Sequence, residues 1–187
     1  MIATDPAQAQ LEAAEPHPHV EYRRAPAEAS ELPDHVADLA VAAQAAHWFD
    51  WPRYVAEVER VTKPGALVAL VSYGIVEIDG AANAIIARYY HDDAGPFWPP
   101  GRRHVETGYR DLAWPWPEVP APAIAMRASW TLDELMGYVA TWSATVKLVE
   151  TRGRAPYDAL RANLAAVWPD GERRDICWPL AIRLARR

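Results

Sequence analysis

Two short apolar runs stand on either side of an amphipathic stretch in the first eighty residues of the chain. Residues 38–45 and 66–73 are rich in apolar side chains and are bounded by polar groups, which is typical of strands buried in a parallel sheet. Between them, residues 52–62 place apolar side chains at helical spacing, and Lys-Pro-Gly at 63–65 predicts an abrupt end to that helix. The order strand, helix, strand predicts a βαβ unit and therefore an α/β fold with a parallel sheet.

The pattern predicts further elements outside this unit. Asp5 before Pro6 is typical of a helix N-cap, and Thr131 with Glu134 forms a capping box that opens another helix. Pro179 has no N–H to give to a strand ladder, so its strand must place it at an edge, a bulge or the start. Irregular structure is predicted for residues 92–104 and 114–122. The other predicted helices cover residues 8–14, 81–90, 131–143 and 156–168, and the other predicted strands cover residues 1–4, 19–24, 123–129 and 176–184.

Composition narrows the class of protein. The 187 residues suit one domain, and 51% hydrophobic with 24% charged residues is typical of a globular chain. The net charge of −6 gives no polybasic surface, so neither nucleic acid nor an anionic membrane is expected as a main partner. The single Cys177 excludes an intrachain disulfide. No apolar run reaches about 20 residues and no secretion signal opens the chain, so a cytoplasmic location is expected.

Short motifs occur in order along almost the whole chain. They are residues 25–28 (Ala-Pro-Ala-Glu), 32–33 (Leu-Pro), 38–50 (through Gln-Ala-Ala-His-Trp-Phe-Asp), 57–65, 72–73, 89–90, 95–98 (Gly-Pro-Phe-Trp), 109–111, 130–131, 141–144 and 178–180. Together they resemble the class I S-adenosylmethionine-dependent methyltransferases, most of all the branch that contains trans-aconitate methyltransferase and related small-molecule carboxyl methyltransferases. The resemblance implies a Rossmann-like methyltransferase sheet, mostly parallel with an antiparallel C-terminal strand. It also implies a single domain divided into a partial cofactor-binding core (1–79), a substrate cover (80–122) and C-terminal helices and strands (123–187).

One feature of the family is missing from the sequence. The family begins with a helix, a first strand and a glycine-rich turn that cradles the methionine part of the cofactor, whereas the first glycine here is Gly65. Residues 1–5 match the end of the family's second strand, so we expect an N-terminal truncation, with Met1 at an internal position. Two buried strand edges would then lie roughly 9–10 Å apart. An inward shift of the N-terminal strand, or a strand from a partner chain in a homodimer, are the two ways expected to fill the gap.

The resemblance implies S-adenosylmethionine at the carboxyl edge of the sheet. In the family an acidic residue at the position of Asp5 binds the cofactor ribose, although the same carboxylate could serve as the N-cap. The loop at Glu28 lies against the adenine in the family, and a solvated loop acid is the alternative reading. His47 could face substrate or the transferable methyl group, or could be a structural histidine. The cofactor-binding residues implied are Asp5, Ala27, Glu28, Gln44, Ala45 and His47.

A small-molecule substrate is expected in the aromatic, proline-rich part of the chain. An arginine presents a fork that can hold a carboxylate through two hydrogen bonds, although a surface arginine is the alternative. No metal is expected, because the histidines and aspartates show no recognised ligand spacing. The substrate-binding residues implied are Trp48, Tyr90, Trp98, Arg102 and Arg103.

The reaction implied is methyl transfer from S-adenosylmethionine to a small molecule, a carboxylate among the candidates. A carboxylate is already ionised at neutral pH, so catalysis would rest on alignment and exclusion of water, and no residue is assigned as catalytic. Two other readings stay open. The chain could be a non-catalytic remnant that acts by binding or dimerisation, or a ligand binder that uses its aromatic cluster.

Overall fold

The computed structural model of the protein describes all 187 residues, in seven strands and seven α-helices. None of the helices is long and apolar enough to cross a bilayer. The strands are β1 (Ile2–Asp5), β2 (Glu21–Arg24), β3 (Ala37–Ala43), β4 (Thr62–Tyr73), β5 (Glu77–Ile78), β6 (Ala125–Trp130) and β7 (Arg174–Arg186). The helices are α1 (Gln8–Glu12), α2 (Trp51–Val61), α3 (Ala81–Arg88), α4 (Arg102–Glu106), α5 (Leu132–Ala140), α6 (Ser143–Arg152) and α7 (Ala155–Ala165).

The chain divides into two compact units, each described here by itself. The first unit contains Met1–Ser72, Thr107–Pro122 and Ile182–Arg187, and the second contains Tyr73–Glu106 and Ala123–Ala181. The long strand β7 contributes residues to each of them. The three-part division predicted from the resemblance stays a prediction.

Parallel strand pairs form the first unit. β1 pairs with β2 from Ile2 opposite Glu21 to Asp5 opposite Arg24, and β3 pairs in parallel with β4. The last residues of β7 lie beside β4, where the Gly65 N–H donates to the Arg187 carbonyl at 2.7 Å. The predicted βαβ unit is confirmed as β3, α2 and β4.

The β3 strand is less buried than the sequence predicts. β1 pairs only with β2, and β3 pairs only with β4, so the N-terminal strand has not moved inward to pair with β3. Leu39 and Val41 share one face of β3 and are 52% and 54% exposed, whereas Ala42 on the other face is buried. The prediction of a fully buried strand is wrong because β3 has a partner along one edge and a cover over one face.

Lys-Pro-Gly at 63–65, which the pattern predicts to end the helix of the βαβ unit, belongs to β4. Helix α2 ends at Val61 and β4 begins at Thr62, whose hydroxyl donates to the Val58 carbonyl at 2.6 Å. Ala37 pairs with Thr62 and Leu39 with Leu67, so one residue of β3 faces four of β4. Residues 63–66 therefore form a bulge. A bulge accommodates both a proline without an N–H and a glycine at positive φ, which is why Lys-Pro-Gly does not end the strand here.

A charged network joins the loop after β2 to α2. The buried Glu57 carboxylate accepts from the backbone N–H and hydroxyl of Ser30 at 2.7 and 2.6 Å. Arg60 donates to both Glu57 oxygens and also to the Leu32 carbonyl and Asp34. Hydrogen bonding from Arg60, with smaller contributions from Ser30, outweighs burial and lowers the pKa of Glu57 to about 2 from an ordinary 4.5. The network holds residues 30–34 against the helix.

Antiparallel strands and five α-helices form the second unit. β5 and β6 each pair with β7, with Ile78 opposite Ile176 and Ala128 opposite the same residue from the other side. The Leu180 N–H donates to the Ile124 carbonyl, so the Pro179 nitrogen faces the other edge of β7, beyond the end of its pairing with β5 at Cys177. Pro179 thus lies in the middle of β7, past its pairing with β5, whereas the pattern predicted an edge, a bulge or the start of the strand.

The core of the second unit is aliphatic and aromatic. Trp168 and Ile176 are fully buried, as are Leu135 on α5 and Leu148 on α6. The predicted capping box is present: the Glu134 N–H donates to the Thr131 hydroxyl at 3.3 Å, and the Thr131 N–H donates to the Glu134 carboxylate at 2.7 Å. This reciprocal pair closes the start of α5, the helix that the motif predicts.

The capping box gives a first test of the fold. Thr131→Ala removes the side-chain acceptor at the start of α5, so the free energy of unfolding should fall by about 1 kcal/mol in urea titrations. Thr151→Ala is the matched control, because the exposed Thr151 hydroxyl bonds only back to the Lys147 carbonyl within α6. Equal losses in the two variants would contradict the role of the cap.

Glu57 gives a second test, through pH. Glu57→Gln should lower the free energy of unfolding by about 2 kcal/mol at pH 7, because it removes the charge that Arg60 and Ser30 bind. The pKa of Glu57 is lower in the folded chain than its ordinary 4.5. Its stabilisation is therefore complete above about pH 4.5 and is lost as pH falls towards about 2. Urea titrations should show the difference between wild type and variant shrinking at pH 3, whereas the exposed control Glu59→Gln should match wild type at both pH values.

Candidate functional site

The predicted cofactor-binding residues all follow parallel strands of the first unit. Asp5 is the last residue of β1, Glu28 lies in the loop after β2, and Gln44 and His47 come directly after β3. Ligands of open α/β sheets bind beyond the carboxyl ends of the strands, so these positions agree with the site that the resemblance implies. Ala27 and Ala45 are half-buried at the same loops.

Asp5 closes a turn and does not cap α1. One of its carboxylate oxygens accepts from the Ala7 N–H at 2.7 Å, and the helix begins at Gln8 with Ala7 in the N-cap position and no side-chain cap. The N-cap reading is therefore wrong. Asp5 remains in β1, where its carbonyl accepts from the Ala25 N–H at 3.3 Å. A carboxylate is held here at the end of the strand.

Glu28 joins the loop after β2 to the start of α2. Its carboxylate accepts from the Asp50 N–H at 2.8 Å, and Asp50 in turn caps α2 by accepting from the Arg53 N–H. Glu28 is half-buried. The structure therefore brings the loops that follow β2 and β3 together through this carboxylate.

The chain turns sharply after β3. The Gln44 N–H still donates to the Val71 carbonyl at 2.7 Å, yet Gln44 has φ +50, a left-handed conformation that costs a non-glycine residue about 1 kcal/mol or more. A short 3-10 turn, Ala46–Trp48, follows. It sets the His47 and Trp48 rings 4.9 Å apart and leaves Trp48 66% exposed. A strained backbone residue therefore stands directly before the turn that carries His47 and Trp48.

Tyr109 belongs to this site, although the sequence analysis did not assign it a role. Its hydroxyl lies 3.0 Å from His47 Nδ1, and the two rings are stacked with centroids 6.2 Å apart. Tyr109 is completely buried and has φ +63, next to Gly108 at φ +60. Residues 109–111 resemble a methyltransferase motif, but nothing in that motif predicts that Tyr109 contacts a residue 62 positions away.

Arg183 on β7 holds the Tyr109 segment in place. Its Nη1 donates to the carbonyls of Tyr109 and Leu112 at 2.8 and 2.7 Å, and its Nε donates to Glu118. The guanidinium also lies 5.0 Å from the centre of the Trp114 ring. Three points along residues 109–118 are therefore bound to one largely buried side chain.

In the second unit, four of the five predicted substrate-binding residues line one cavity. It encloses about 200 Å³. Its lining residues are Tyr90, His91, Gly95, Trp98, Pro99, Arg102, Arg103 and Glu106. The fifth predicted residue, Trp48, belongs to the first unit.

Arg102 is held rigidly in this cavity. Its guanidinium lies 4.5 Å from the centre of the Trp98 ring and 5.3 Å from that of Tyr90, and Nε donates to the Tyr90 hydroxyl at 2.6 Å. The Tyr90 hydroxyl donates to Glu106 at 3.1 Å. Burial raises the pKa of Tyr90 to about 12, so this phenol stays neutral. The arrangement presents a fixed cation among aromatic rings, which suits an anionic ligand with apolar parts.

No group of three or more histidine, cysteine, aspartate or glutamate side chains comes together in a way that could hold an ion. The chemistry available is that of carboxylates, amides, one histidine–tyrosine pair and a rigid arginine.

The chain is similar to known methyltransferases. A family described as "Methyltransferase domain" matches residues 1–70. A "putative methyltransferase" of Dictyostelium discoideum is 26% identical over all of this chain and 74% of its own length. The structure of a "putative methyltransferase from antibiotic biosynthesis pathway" of Anabaena variabilis aligns over 94% of this chain and 80% of its own with TM-score 0.52 at 17% identity, a likeness of fold.

One relative is much more similar. The structure of a "putative type II methyltransferase" from Anaeromyxobacter dehalogenans is 42% identical, covers 99% of this chain and 79% of its own, and superposes with TM-score 0.91. The predicted fold class is thereby confirmed: a Rossmann-like methyltransferase sheet, largely parallel, with an antiparallel C-terminal strand. The chain therefore belongs to the class I methyltransferases.

Proposed function

We propose that this protein transfers the methyl group of S-adenosylmethionine to a small carboxylic acid. The observation that carries the proposal is that Asp5, Glu28, Gln44 and His47 each lie at or just after the carboxyl end of a strand in a parallel pair, and that Glu28 joins the loops after β2 and β3. Family membership supports a methyl-transfer reaction, and the rigid Arg102 supports an acid as the acceptor.

The polar groups and the short apolar loop at the strand ends fit an adenosine. A carboxylate at Asp5 can accept from two ribose hydroxyls, and the loop at Ala27 and Glu28 offers a short apolar surface beside a polar group. Residues 1–64 contain no glycine, so the proposal assigns no contact to a glycine-rich turn. When bound, S-adenosylmethionine would supply a methyl group on a sulfonium, whose carbon an acceptor oxygen could bond in line as the C–S bond breaks and neutral S-adenosylhomocysteine leaves.

The residues of the chain are proposed to bind, orient and exclude water. Arg102 would hold an acceptor carboxylate through its guanidinium, because stacking on Trp98 and the hydrogen bond to Tyr90 leave it little freedom to lose on binding. Tyr90 stays protonated and therefore serves as a hydrogen-bonding group and not as a base. Alignment of an already ionised acceptor needs no proton acceptor, so no catalytic base is assigned.

Cofactor binding is the first test. Titration calorimetry with S-adenosylhomocysteine should give micromolar affinity for the wild type. Asp5→Asn should weaken it at least 10-fold, because it replaces a charged acceptor by a neutral one. Asp38→Asn is the matched control, since Asp38 lies at the opposite, amino end of β3 in an exposed pair with Lys63. Absent or millimolar binding by the wild type would overturn the proposal and favour a non-catalytic binding protein.

Acceptor binding is the second test. Methyl transfer from labelled S-adenosylmethionine should be measured with a panel of di- and tricarboxylic acids, beginning with trans-aconitate. Arg102→Gln should raise KM for the preferred acid at least 10-fold with a small change in kcat, since it removes a charge-assisted contact. Arg102→Lys should be intermediate.

Arg152→Gln controls for loss of an arginine stacked on a ring, because Arg152 lies over Phe97 and does not line the cavity. An unchanged KM in Arg102→Gln would refute the assignment of Arg102. Transfer to neutral acceptors alone would refute the acid as substrate class.

A further inference from the structure

We propose that Tyr109 is a positioning residue that donates its hydroxyl proton to His47 Nδ1 and thereby holds His47 in the tautomer with its proton on Nε2. The pair is well defined: the oxygen and Nδ1 are 3.0 Å apart, and the ring planes are inclined by 16°. The predicted role of His47 in binding cofactor or substrate does not decide which nitrogen carries the ring proton. The contact with Tyr109 does decide it, because the two nitrogens then have different partners.

The direction of the hydrogen bond follows from the chemistry of the two groups. A phenol, with an ordinary pKa of about 10, is a far stronger acid than a neutral imidazole N–H. The bare nitrogen of a neutral imidazole is also a stronger base than a phenol oxygen. The arrangement O–H···Nδ1 therefore lies below N–H···O in energy, and Nε2 carries the ring proton.

The protein holds Tyr109 firmly enough to impose this choice. The residue is completely buried, and Arg183 binds its carbonyl at 2.8 Å and that of Leu112 at 2.7 Å. Tyr109 also has a left-handed backbone that a tyrosine seldom adopts. Left-handed non-glycine residues persist where surrounding contacts determine them, and here those contacts aim the phenol at His47.

The chemical consequence of this His47 tautomer rests on the proposed function, methyl transfer to a carboxylic acid. With its proton on Nε2, neutral His47 is a hydrogen-bond donor at the carboxyl end of β3 and cannot accept a proton at that nitrogen. A donor suits an acceptor that arrives already ionised, such as a carboxylate. A hydroxyl or amine acceptor would need a base there. The tautomer thus restricts the substrate class independently of Arg102.

Nitrogen NMR tests the tautomer without any ligand or activity. The full chain is labelled with 15N-histidine, and long-range 1H–15N spectra are recorded at pH 8.5, where an ordinary histidine is neutral. His47→Gln identifies the His47 signals by their loss. We expect Nδ1 to resonate as an unprotonated nitrogen and Nε2 as a protonated one. A protonated Nδ1 in the wild type would overturn the proposal, whatever the behaviour of any variant.

Tyr109→Phe then tests the cause. The two nitrogen shifts should move towards the averaged values of a mixture of tautomers, while the circular dichroism spectrum is retained. Tyr89→Phe is the matched control, because it also removes a buried phenol hydroxyl, one that contacts Thr145. It should leave the His47 signals in place. Unchanged shifts in a folded Tyr109→Phe would refute the role of Tyr109.

A milder variant keeps the inference testable if Tyr109→Phe does not fold. Arg183→Lys keeps the tyrosine and the charge but loses the double contact to the two carbonyls, and it should produce a smaller shift in the same direction. The calorimetric titration with S-adenosylhomocysteine separates this inference from the proposed function. A chain that binds no cofactor yet has the expected tautomer refutes the function alone.

Discussion

The parallel pairing of β3 with β4 decides where the candidate binding residues of the first unit lie. Parallel strands end at the same edge, and the chain must return through a helix before the second strand begins. The Gln44 N–H is still in the ladder with Val71, so the turn must start at Gln44 itself, in a left-handed conformation. The 3-10 turn and the start of α2 follow within a few residues. The side chains of residues 44–48 therefore lie at the carboxyl edge of this strand pair.

Polar side chains then hold the neighbouring loops against that turn. Glu28 binds the start of α2, and Ser30 binds Glu57 about two turns further along the helix. Arg183 does the same for residues 109–112 from β7. Each of these contacts joins a charged group to backbone, which satisfies amides and carbonyls that a loop would otherwise leave to water. The loops of the first unit are therefore ordered without regular secondary structure of their own.

Local signals predicted most of the fold, and tertiary contacts explain the rest. The βαβ unit and α5 follow from periodicity and a capping motif. β5 is only two residues long and depends on pairing with Ile176 and Cys177, almost a hundred positions away. Helix α6 has no side-chain cap, because Trp142 occupies its N-cap position, so no start signal exists in the sequence. Lys-Pro-Gly at 63–65 is typical of a break in regular structure, but the bulge in β4 accommodates these residues within the strand.

The candidate site divides in the same way. Residues that follow strands could be predicted from their position alone, and the cavity of the second unit contains the tyrosine, tryptophan and arginines expected of it. Tyr109 could not be predicted, because its contact with His47 depends on a strained backbone and on an arginine from β7.

The edge of β3 has a consequence for the protein in solution. Leu39 and Val41 lie more than half exposed beside a row of backbone groups that no other strand of the chain pairs with. An extended peptide arriving there gains a ladder and an apolar contact together, which makes such an edge a nucleus for sheet growth. Sulfate and phosphate strengthen apolar burial, so we expect them to favour association along this edge. A strand of seven residues is therefore the part of the first unit at which we expect sheet growth to begin.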